Sequence, residues 1–106
     1  MKLMEYQAHA DETAFYPGGI LYTGLGLCGE SGEYADKLKK IMRDDNGEIS
    51  DEKRTAMLKE LGDVLWYVAQ NARELNSSIE EVAVMNVNKL RERMNNNTIN
   101  GSGDNR

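Results

Sequence analysis

Two pairs of acidic residues have the types and the spacing best suited to chemistry in this chain. Each pair has the helical spacing i, i+3 and lies among apolar residues: Glu30 and Glu33 in the first pair, Glu60 and Asp63 in the second. Residues at this spacing share one face of a helix, so each pair presents two carboxylates on the same side. Carboxylates are rarely buried without a partner. Four of them on two neighbouring helices predict a site for a hard divalent cation, with Mg²⁺ as first choice and Mn²⁺ as second.

The same spacing also arises by chance on solvated helix faces, and this alternative stays open for each pair taken alone. Lys37 lies four residues after Glu33 and would then form an ordinary ion pair on the helix surface. Three glycines lie beside the acidic pairs: Gly29, Gly32 and Gly62. Glycine inside a helix costs about 1 kcal/mol relative to alanine, so these positions predict a close approach of the backbone to a neighbouring helix or to a ligand.

A basic face occurs later in the chain. Asn86, Lys89 and Arg93 recur at i, i+3 and i+7, and lysine and arginine side chains bind phosphate groups. Cations are also favoured near the C-terminus of any helix, and on these residues alone that simpler interpretation is preferred. The final segment, GSGDNR (101–106), either offers backbone N–H groups and the Arg106 guanidinium to a phosphate or is an inert end.

Composition excludes several other kinds of site. Of the 106 residues, 40% are hydrophobic and 29% are charged, which is typical of a globular domain. The single cysteine, Cys28, cannot form an internal disulfide or a thiolate zinc cluster. The single histidine, His9, excludes sites that need two imidazoles, including the di-iron sites of ferritin-like proteins.

Charge and hydropathy argue against two classes of partner. The net charge is −5, and an acidic chain is a poor candidate for binding a nucleic-acid polymer. No run of 18 apolar residues occurs, so we expect no membrane partner. The first residues lack the apolar segment of a secretory signal, and we therefore expect a cytoplasmic location.

Helix-forming residues dominate the periodic segments and predict an all-α fold with four helices. The predicted helices cover about 2–14, 20–43, 51–75 and 79–94. Ser50 and Ser78 are predicted N-caps, and Glu81 would complete a capping box with Ser78. We interpret residues 1–94 as one helical domain. Residues 95–106 form a polar tail whose composition alone predicts disorder.

The third predicted helix carries the clearest apolar row, which predicts the seam of a helical bundle. Its members recur at steps of three and four: Leu58, Leu61, Leu65, Val68, Ala72 and Leu75. Residues 61–69 are apolar nearly all round, which is more surface than one small subunit covers easily. We therefore predict a homo-oligomer with this helix near its interface. The alternative is that the other three helices cover it.

The order of these motifs resembles the all-α nucleoside triphosphate pyrophosphohydrolases of the MazG-like superfamily. E-x-x-E is followed, after 26 intervening residues, by E-x-x-D, within the segments 22–44 and 59–69. NVNKLRER (86–93) is similar to the N-x-x-K-L-x-x-R stretch of that family. The ending, 101–106, resembles a tail found in a small phage and bacterial subgroup. One departure follows the last arginine, where the family often has an aromatic residue and a proline and this chain has Met94 and asparagines.

The resemblance implies a four-helix MazG-like bundle that assembles as a homodimer or a dimer of dimers. It implies Mg²⁺-dependent cleavage of nucleoside triphosphates between the α and β phosphates, releasing a monophosphate and pyrophosphate and clearing unwanted nucleotides. The implied metal ligands are Glu30, Glu33, Glu60 and Asp63, with Glu33, or else Glu30, as the general base. The implied substrate-binding residues are Asn86, Lys89 and Arg93, with Lys37, Asp104 and Arg106 as further candidates.

Two other functions remain open on the sequence. A phosphoribosyl-ATP pyrophosphohydrolase-like enzyme would share the same acidic motifs, and a non-catalytic helical interaction module would share only the bundle. The aromatic residues at helical spacing are interpreted as core residues, with stacking on a nucleobase as the alternative. They are Tyr6, Tyr16, Tyr22, Trp66 and Tyr67.

Overall fold

The computed structural model describes residues 1–97 and 99–104, and every regular element in them is an α-helix. The helices are α1 (Leu3–Asp11), α2 (Gly19–Asp44), α3 (Asp51–Glu74) and α4 (Ile79–Asn95). The all-α prediction is confirmed, and α2, α3 and α4 begin and end within one residue of their predicted bounds. Within the described ranges, none of these helices has both the length and the apolar character needed to cross a membrane.

The first helix ends three residues before the predicted Ala14 because its last carbonyl groups have other donors. In a continuing helix, the Ala10 carbonyl would accept from the Ala14 N–H. Instead it accepts from the Thr13 N–H, the Thr13 hydroxyl and the indole N–H of Trp66, at 3.1, 2.9 and 3.2 Å. The competing donors, one of them from α3, stop the helix and hold its end against α3.

Serine side chains begin α3 and α4 as predicted. The Ser50 hydroxyl accepts from the Lys53 N–H, and the Ser78 hydroxyl accepts from the Glu81 N–H, each at 3.2 Å. Each bond satisfies one of the N–H groups that a helix leaves without a partner in its first turn. The turn between α2 and α3 contains Gly47 at φ +80°, a left-handed conformation that glycine adopts without steric cost.

The dominant packing in the chain is the antiparallel pair of α2 and α3. At one point the Tyr67 side chain of α3 packs so closely on the α2 backbone that a Cβ atom on Gly26 would overlap its ring. No such contact exists at Gly29, Gly32 or Gly62, where a Cβ atom would meet nothing within 4 Å. The close approach of a neighbouring helix predicted at those three glycines is therefore wrong for the single chain, and such a contact lies one turn before Gly29, at Gly26. The alternative, close approach to a ligand, stays a prediction.

The interior of the chain is small and partly polar. Ala10, Ala69 and Ile79 form its apolar centre, where α1, α3 and α4 meet. Buried Gln7 lies beside them and links all three helices. Its amide donates to the Ala69 carbonyl at 3.2 Å, and its side-chain oxygen accepts from the Ile79 N–H at 2.8 Å. A glutamine thus supplies a partner for the first turn of α4.

The apolar row predicted as a bundle seam does not lie inside the chain. Its four leucines are exposed: Leu58, Leu61, Leu65 and Leu75. The buried residues of α3 are Met57, Ala69, Gln70 and Ala72. Of the predicted row, only Ala72 is buried and Val68 half-buried, so the row is not a seam within the single chain. The reason is that polar side chains of α3 occupy the face that meets α2, which turns the leucines outward. The place of the row near an oligomer interface stays a prediction.

The chain is also more extended than a compact domain of its size. Its radius of gyration is 16.5 Å, whereas about 13 Å is expected for roughly 100 residues. In the described part of the chain, α4 lies against α1 and α3 but not against α2. Exposed apolar residues therefore remain along both α3 and α4.

The Gly26 contact yields a prediction about stability. Gly26→Ala should destabilise the protein by about 1–3 kcal/mol, because the added methyl group forces the Tyr67 ring or the two helices to move. Chemical denaturation monitored by circular dichroism measures the change.

Gly32→Ala is the matched control in the same helix. A methyl group there meets open space, so it should leave stability unchanged or raise it by up to about 1 kcal/mol through helix propensity. Equal effects of the two substitutions would contradict the close contact at Gly26.

Candidate metal centre

The hairpin of α2 and α3 brings together three of the four carboxylates that the sequence singled out. Glu30 comes from α2, and Glu60 and Asp63 come from one face of α3. One carboxylate oxygen from each lies within 4.8 Å of the other two. Two ligands of a Mg²⁺ ion at about 2.1 Å from it lie at most roughly 4.2 Å apart, so small side-chain movements would fit this group to one ion. The donor set, three carboxylates, is the kind that hard cations prefer.

Electrostatic repulsion is already visible within this group. Partial burial raises the pKa of the Glu30 carboxyl above its ordinary value. The negative charges of its acidic neighbours raise that pKa further, in the order Asp63, Glu60 and Glu33. A group whose charged form is disfavoured by its neighbours is one that a bound cation would stabilise. The charge distribution therefore fits a divalent ion as well as the geometry does.

Lys37 contributes positive charge beside the carboxylates. Its Nζ lies 3.5 Å from Oε1 of Glu60, so the side chain reaches from α2 across to α3. The surface ion pair with Glu33, considered above as the ordinary alternative, is not the ion pair that forms. Lys37 instead offsets part of the negative charge of the centre.

Glu33 lies at the edge of the centre and outside the group of three carboxylates. Its side chain is exposed, and one helical turn separates it from Glu30. It remains near enough for its charge to raise the pKa of Glu30. The structure thus separates the four predicted acidic residues into three that converge and one, Glu33, that lies outside their group. Exposure does not separate them, because Asp63 is exposed as well.

Aromatic side chains form a wall next to the acidic group. Trp66 and Tyr67 meet edge to face with ring centroids 4.9 Å apart, and Tyr16 stacks on Tyr22 at 5.6 Å. Burial and then hydrogen bonding with Tyr22 raise the pKa of Tyr67, and the charge of Glu30 adds to this rise. These rings pack on one another, but none of the five aromatic residues is buried and Tyr22 is exposed. Only Tyr6 and Trp66, both half-buried, pack against the apolar centre, so the interpretation as core residues is confirmed for these two alone.

Two further residues position the centre, and the sequence analysis did not single them out. The Thr23 hydroxyl donates to the side-chain oxygen of Asn71 at 3.1 Å, and the Asn71 amide donates to the Thr23 carbonyl at 2.9 Å. These bonds fix the alignment of α2 against α3 one turn from the Gly26 contact. The sequence does contain a signal for Asn71. Tyr67 and Asn71 follow Asp63 at i+4 and i+8, so all three residues share one face of the helix.

The downstream basic residues lie on α4, apart from the α2 half of the centre. Lys89 Nζ and Arg93 Nη2 both contact Oδ1 of Asp104, at 2.9 and 3.0 Å. Asn86 is exposed beside a groove that Lys89 also lines. Since α4 does not meet α2 within the described residues, the single chain does not bring these residues against Glu30.

The tail differs from the prediction made from its composition. Asp104 contacts α4, and the Gly103 carbonyl accepts from Arg93 at 3.4 Å, so this part of the tail folds back along the helix. Disorder was predicted because the segment is polar apart from Ile99, but in the described residues ion pairs of Asp104 hold its end against α4. The predicted phosphate contact of Arg106 lies outside the described residues.

Comparison with known proteins places the chain in a family. Residues 21–98 match the model of the MazG nucleotide pyrophosphohydrolase domain. The chain therefore belongs to the MazG nucleotide pyrophosphohydrolase family, as the resemblance in its motifs indicates. It is 48% identical over 109 residues to the Gene 37 protein of Mycobacterium phage L5, an alignment that covers 95% of this chain and 96% of the phage protein. No solved structure matches the chain.

The convergence of carboxylates predicts stabilisation by Mg²⁺. Because the ion binds the assembled site and relieves repulsion among Glu30, Glu60 and Asp63, Mg²⁺ at 100 times its Kd should stabilise the fold by about 2.7 kcal/mol. A rise in Tm on titration with MgCl₂ at constant ionic strength measures the effect.

Paired variants of α3 separate a site effect from general screening of negative charge. Asp63→Asn should lose most of the Mg²⁺-dependent rise in Tm. Glu52→Gln, which removes one exposed charge from the first turn of the same helix, should keep it. Equal rises in all three proteins would show that Mg²⁺ acts on the overall charge and not at this centre.

Proposed function

We propose that the protein is a Mg²⁺-dependent nucleoside triphosphate pyrophosphohydrolase. In this proposal it cleaves the bond between the α and β phosphates, releases a nucleoside monophosphate and pyrophosphate, and removes unwanted nucleotides from the cellular pool. The observation that carries the proposal is the convergence of Glu30, Glu60 and Asp63 between α2 and α3 in a member of the MazG family. Three carboxylates alone would repel a triphosphate, so the site needs a cation to bind one.

Different residues of the chain have different roles in the proposed reaction. Glu30, Glu60 and Asp63 are placed to hold Mg²⁺. When bound there, the ion supplies positive charge for phosphate oxygens and acidifies water, which assists attack on phosphorus. Lys37 lies beside Glu60 and offsets negative charge at the edge of the centre, where it would meet a phosphate oxygen.

Glu33 is the best placed general base in this scheme. A base must remain free to accept a proton from the attacking water, which a carboxylate occupied by a cation does poorly. Glu33 is exposed and outside the group of three, yet close enough to influence Glu30 electrostatically. These positions support metal binding by the three converging carboxylates and proton transfer by Glu33.

The proposed reaction predicts specific products from a panel of ribo- and deoxyribonucleoside triphosphates with Mg²⁺. Each accepted substrate should give monophosphate and pyrophosphate, identified by ³¹P NMR or ion-exchange chromatography. Orthophosphate with a diphosphate would contradict the cleavage position, and no turnover of any substrate would favour a non-catalytic helical module. Phosphoribosyl-ATP in the panel tests the related enzymatic alternative.

Two variants separate the proposed roles in the same assay. Glu33→Gln should lower kcat by about 10²-fold or more while keeping the Mg²⁺-dependent rise in Tm, because it removes a base and not a ligand. Asp63→Asn should lose both activity and the rise in Tm. If Glu33→Gln instead abolishes the thermal response to Mg²⁺, Glu33 is a ligand and another group takes the proton.

We also propose that the active protein is a homo-oligomer, a dimer or a dimer of dimers, whose second copy covers the exposed row of α3. The support is physical. Leu58, Leu61 and Leu65 form a continuous exposed row, the chain is more extended than a compact monomer, and α4 leaves much of its apolar surface exposed. Contiguous apolar surface of this extent is unusual on a monomer and typical of protein interfaces. A second copy supplies a matching surface by symmetry.

The oligomer is tested by measuring mass in solution. The chain has a mass of 11.9 kDa, and light scattering coupled to size exclusion should give two or four times that value. Leu65→Glu should shift the population toward the monomer, because it places a charge in the middle of the covered row.

Met42→Glu is the control, since it adds the same charge at an exposed methionine near the turn after α2. A wild-type protein that is monomeric at micromolar concentration contradicts the proposal. Dissociation by both variants alike would show a general charge effect and not an interface on α3.

A further inference from the structure

The tail of the chain and the end of α4 form an ion-pair cluster of three residues, Lys89, Arg93 and Asp104. A single oxygen, Oδ1 of Asp104, accepts from both cations, at 2.9 Å from Lys89 and 3.0 Å from Arg93. The Arg93 guanidinium also donates to the Gly103 carbonyl. Arg93 is buried, with 6% of its surface exposed, whereas Asp104 is exposed. The cluster therefore has a fixed inner cation and an outer carboxylate on the tail.

The charges of the cluster indicate what Asp104 does there. A carboxylate does not bind a phosphate directly, because both are anions. Two cations held side by side repel each other, and a lysine side chain left alone moves freely in solvent. Asp104 bonds to both and so keeps them together, while two positive charges and one negative leave the cluster with a net charge of +1. Such a cluster still attracts a polyphosphate.

Ionisation of Asp104 supports the same arrangement. Hydrogen bonds from Lys89 and then Arg93 hold the pKa of the Asp104 carboxyl below its ordinary value. The residue is therefore charged throughout the neutral range, and the ion pairs do not depend on pH there. The Gly103 carbonyl also lies at the end of α4, where it accepts from Arg93.

We infer that Asp104 is a positioning residue, which holds Lys89 and Arg93 together as one phosphate-binding unit on α4 and does not itself contact the substrate. The inference rests on the proposed function, since it assigns those cations to the polyphosphate of a nucleotide. It differs from the expectation that Asp104 binds substrate. It also differs from an autoinhibitory tail, in which the carboxylate would compete with phosphate.

The test is the kinetics of Asp104→Asn with a nucleotide that the wild-type protein hydrolyses. The variant should raise KM by about tenfold, because the two cations are no longer held together, and should leave kcat within about twofold. Asp104→Glu keeps the charge and should recover most of the loss. Glu92→Gln removes an exposed carboxylate from the same end of α4 and should leave KM unchanged.

A double-mutant cycle shows whether Asp104 acts through Lys89. In the background of Lys89→Met, Asp104→Asn should have a clearly smaller effect on KM than in wild type, since one of the two cations that it holds is already gone. Full additivity would overturn the inference, because Asp104 would then act independently of Lys89. A KM that falls in Asp104→Asn would also overturn it and would identify the tail as a competitor.

Binding measurements test the role of Asp104 separately from the proposed reaction. Calorimetry with the α,β-methylene analogue of a nucleoside triphosphate, in the presence of Mg²⁺, should show weaker binding to Asp104→Asn by the same factor. If wild type binds the analogue but hydrolyses no nucleotide, the proposed reaction fails while this comparison still decides the role of Asp104. Equal affinities of wild type and variant, or no binding by either, would overturn the inference.

Discussion

The close packing of α2 on α3 is the constraint on which the other features depend. Gly26 admits the ring of Tyr67, and the Thr23–Asn71 hydrogen bonds set the alignment one turn away. In an antiparallel pair, four residues forward on one helix face four residues back on the other. Glu30 follows Gly26 by four residues and Asp63 precedes Tyr67 by four, so the two carboxylates face each other. The contact that determines the register therefore also assembles the metal centre.

This use of the α2–α3 interface has a structural consequence for the rest of the chain. Side chains that would form an apolar seam in an ordinary hairpin are replaced by carboxylates, a lysine, an asparagine and a tyrosine. The leucine row of α3 is displaced to the outside, and the interior of the chain shrinks to a few residues around Ala69. Gln7 and Gln70, both buried, use hydrogen bonds where a larger core would use apolar contacts. The proposed second copy would restore the apolar burial that the single chain gives up.

Some features could be predicted from the sequence because they are local or chemically unusual. Serine caps, the Gly47 turn and helix periodicity depend on neighbouring residues, so three of the four helices begin and end close to their predicted bounds. Carboxylates amid apolar sequence are unusual, and three of the four predicted acidic residues converge. The family assignment from motif order is confirmed by the domain match.

Other features could not be predicted, because they depend on which surfaces meet. Periodicity identified the leucine row of α3 but not whether it packs inside the chain, and in the single chain its leucines are exposed. Glycines beside the acidic pairs suggested close approach, whereas the approach occurs at Gly26, where the partner is a ring on another helix. The composition of the tail predicted disorder, because composition gives no information about the ion pairs that Asp104 forms with Lys89 and Arg93.

In both parts of the proposed active site, a group of like charges is contacted by one residue of opposite charge. In the α2–α3 centre, carboxylates lie together and Lys37 contacts Glu60 from the side. On α4, cations lie together and Asp104 contacts them from the side. In each case one group of opposite sign limits the repulsion among like charges without cancelling the local excess. The acidic excess suits a divalent cation and the basic excess suits a phosphate, which are the two components of a magnesium–nucleotide complex. Within the described residues α4 meets α3, which carries Glu60 and Asp63, but not α2. The α2 half of the centre and the cations of α4 would therefore be joined to one substrate through α3 or, in the proposed oligomer, through a second copy.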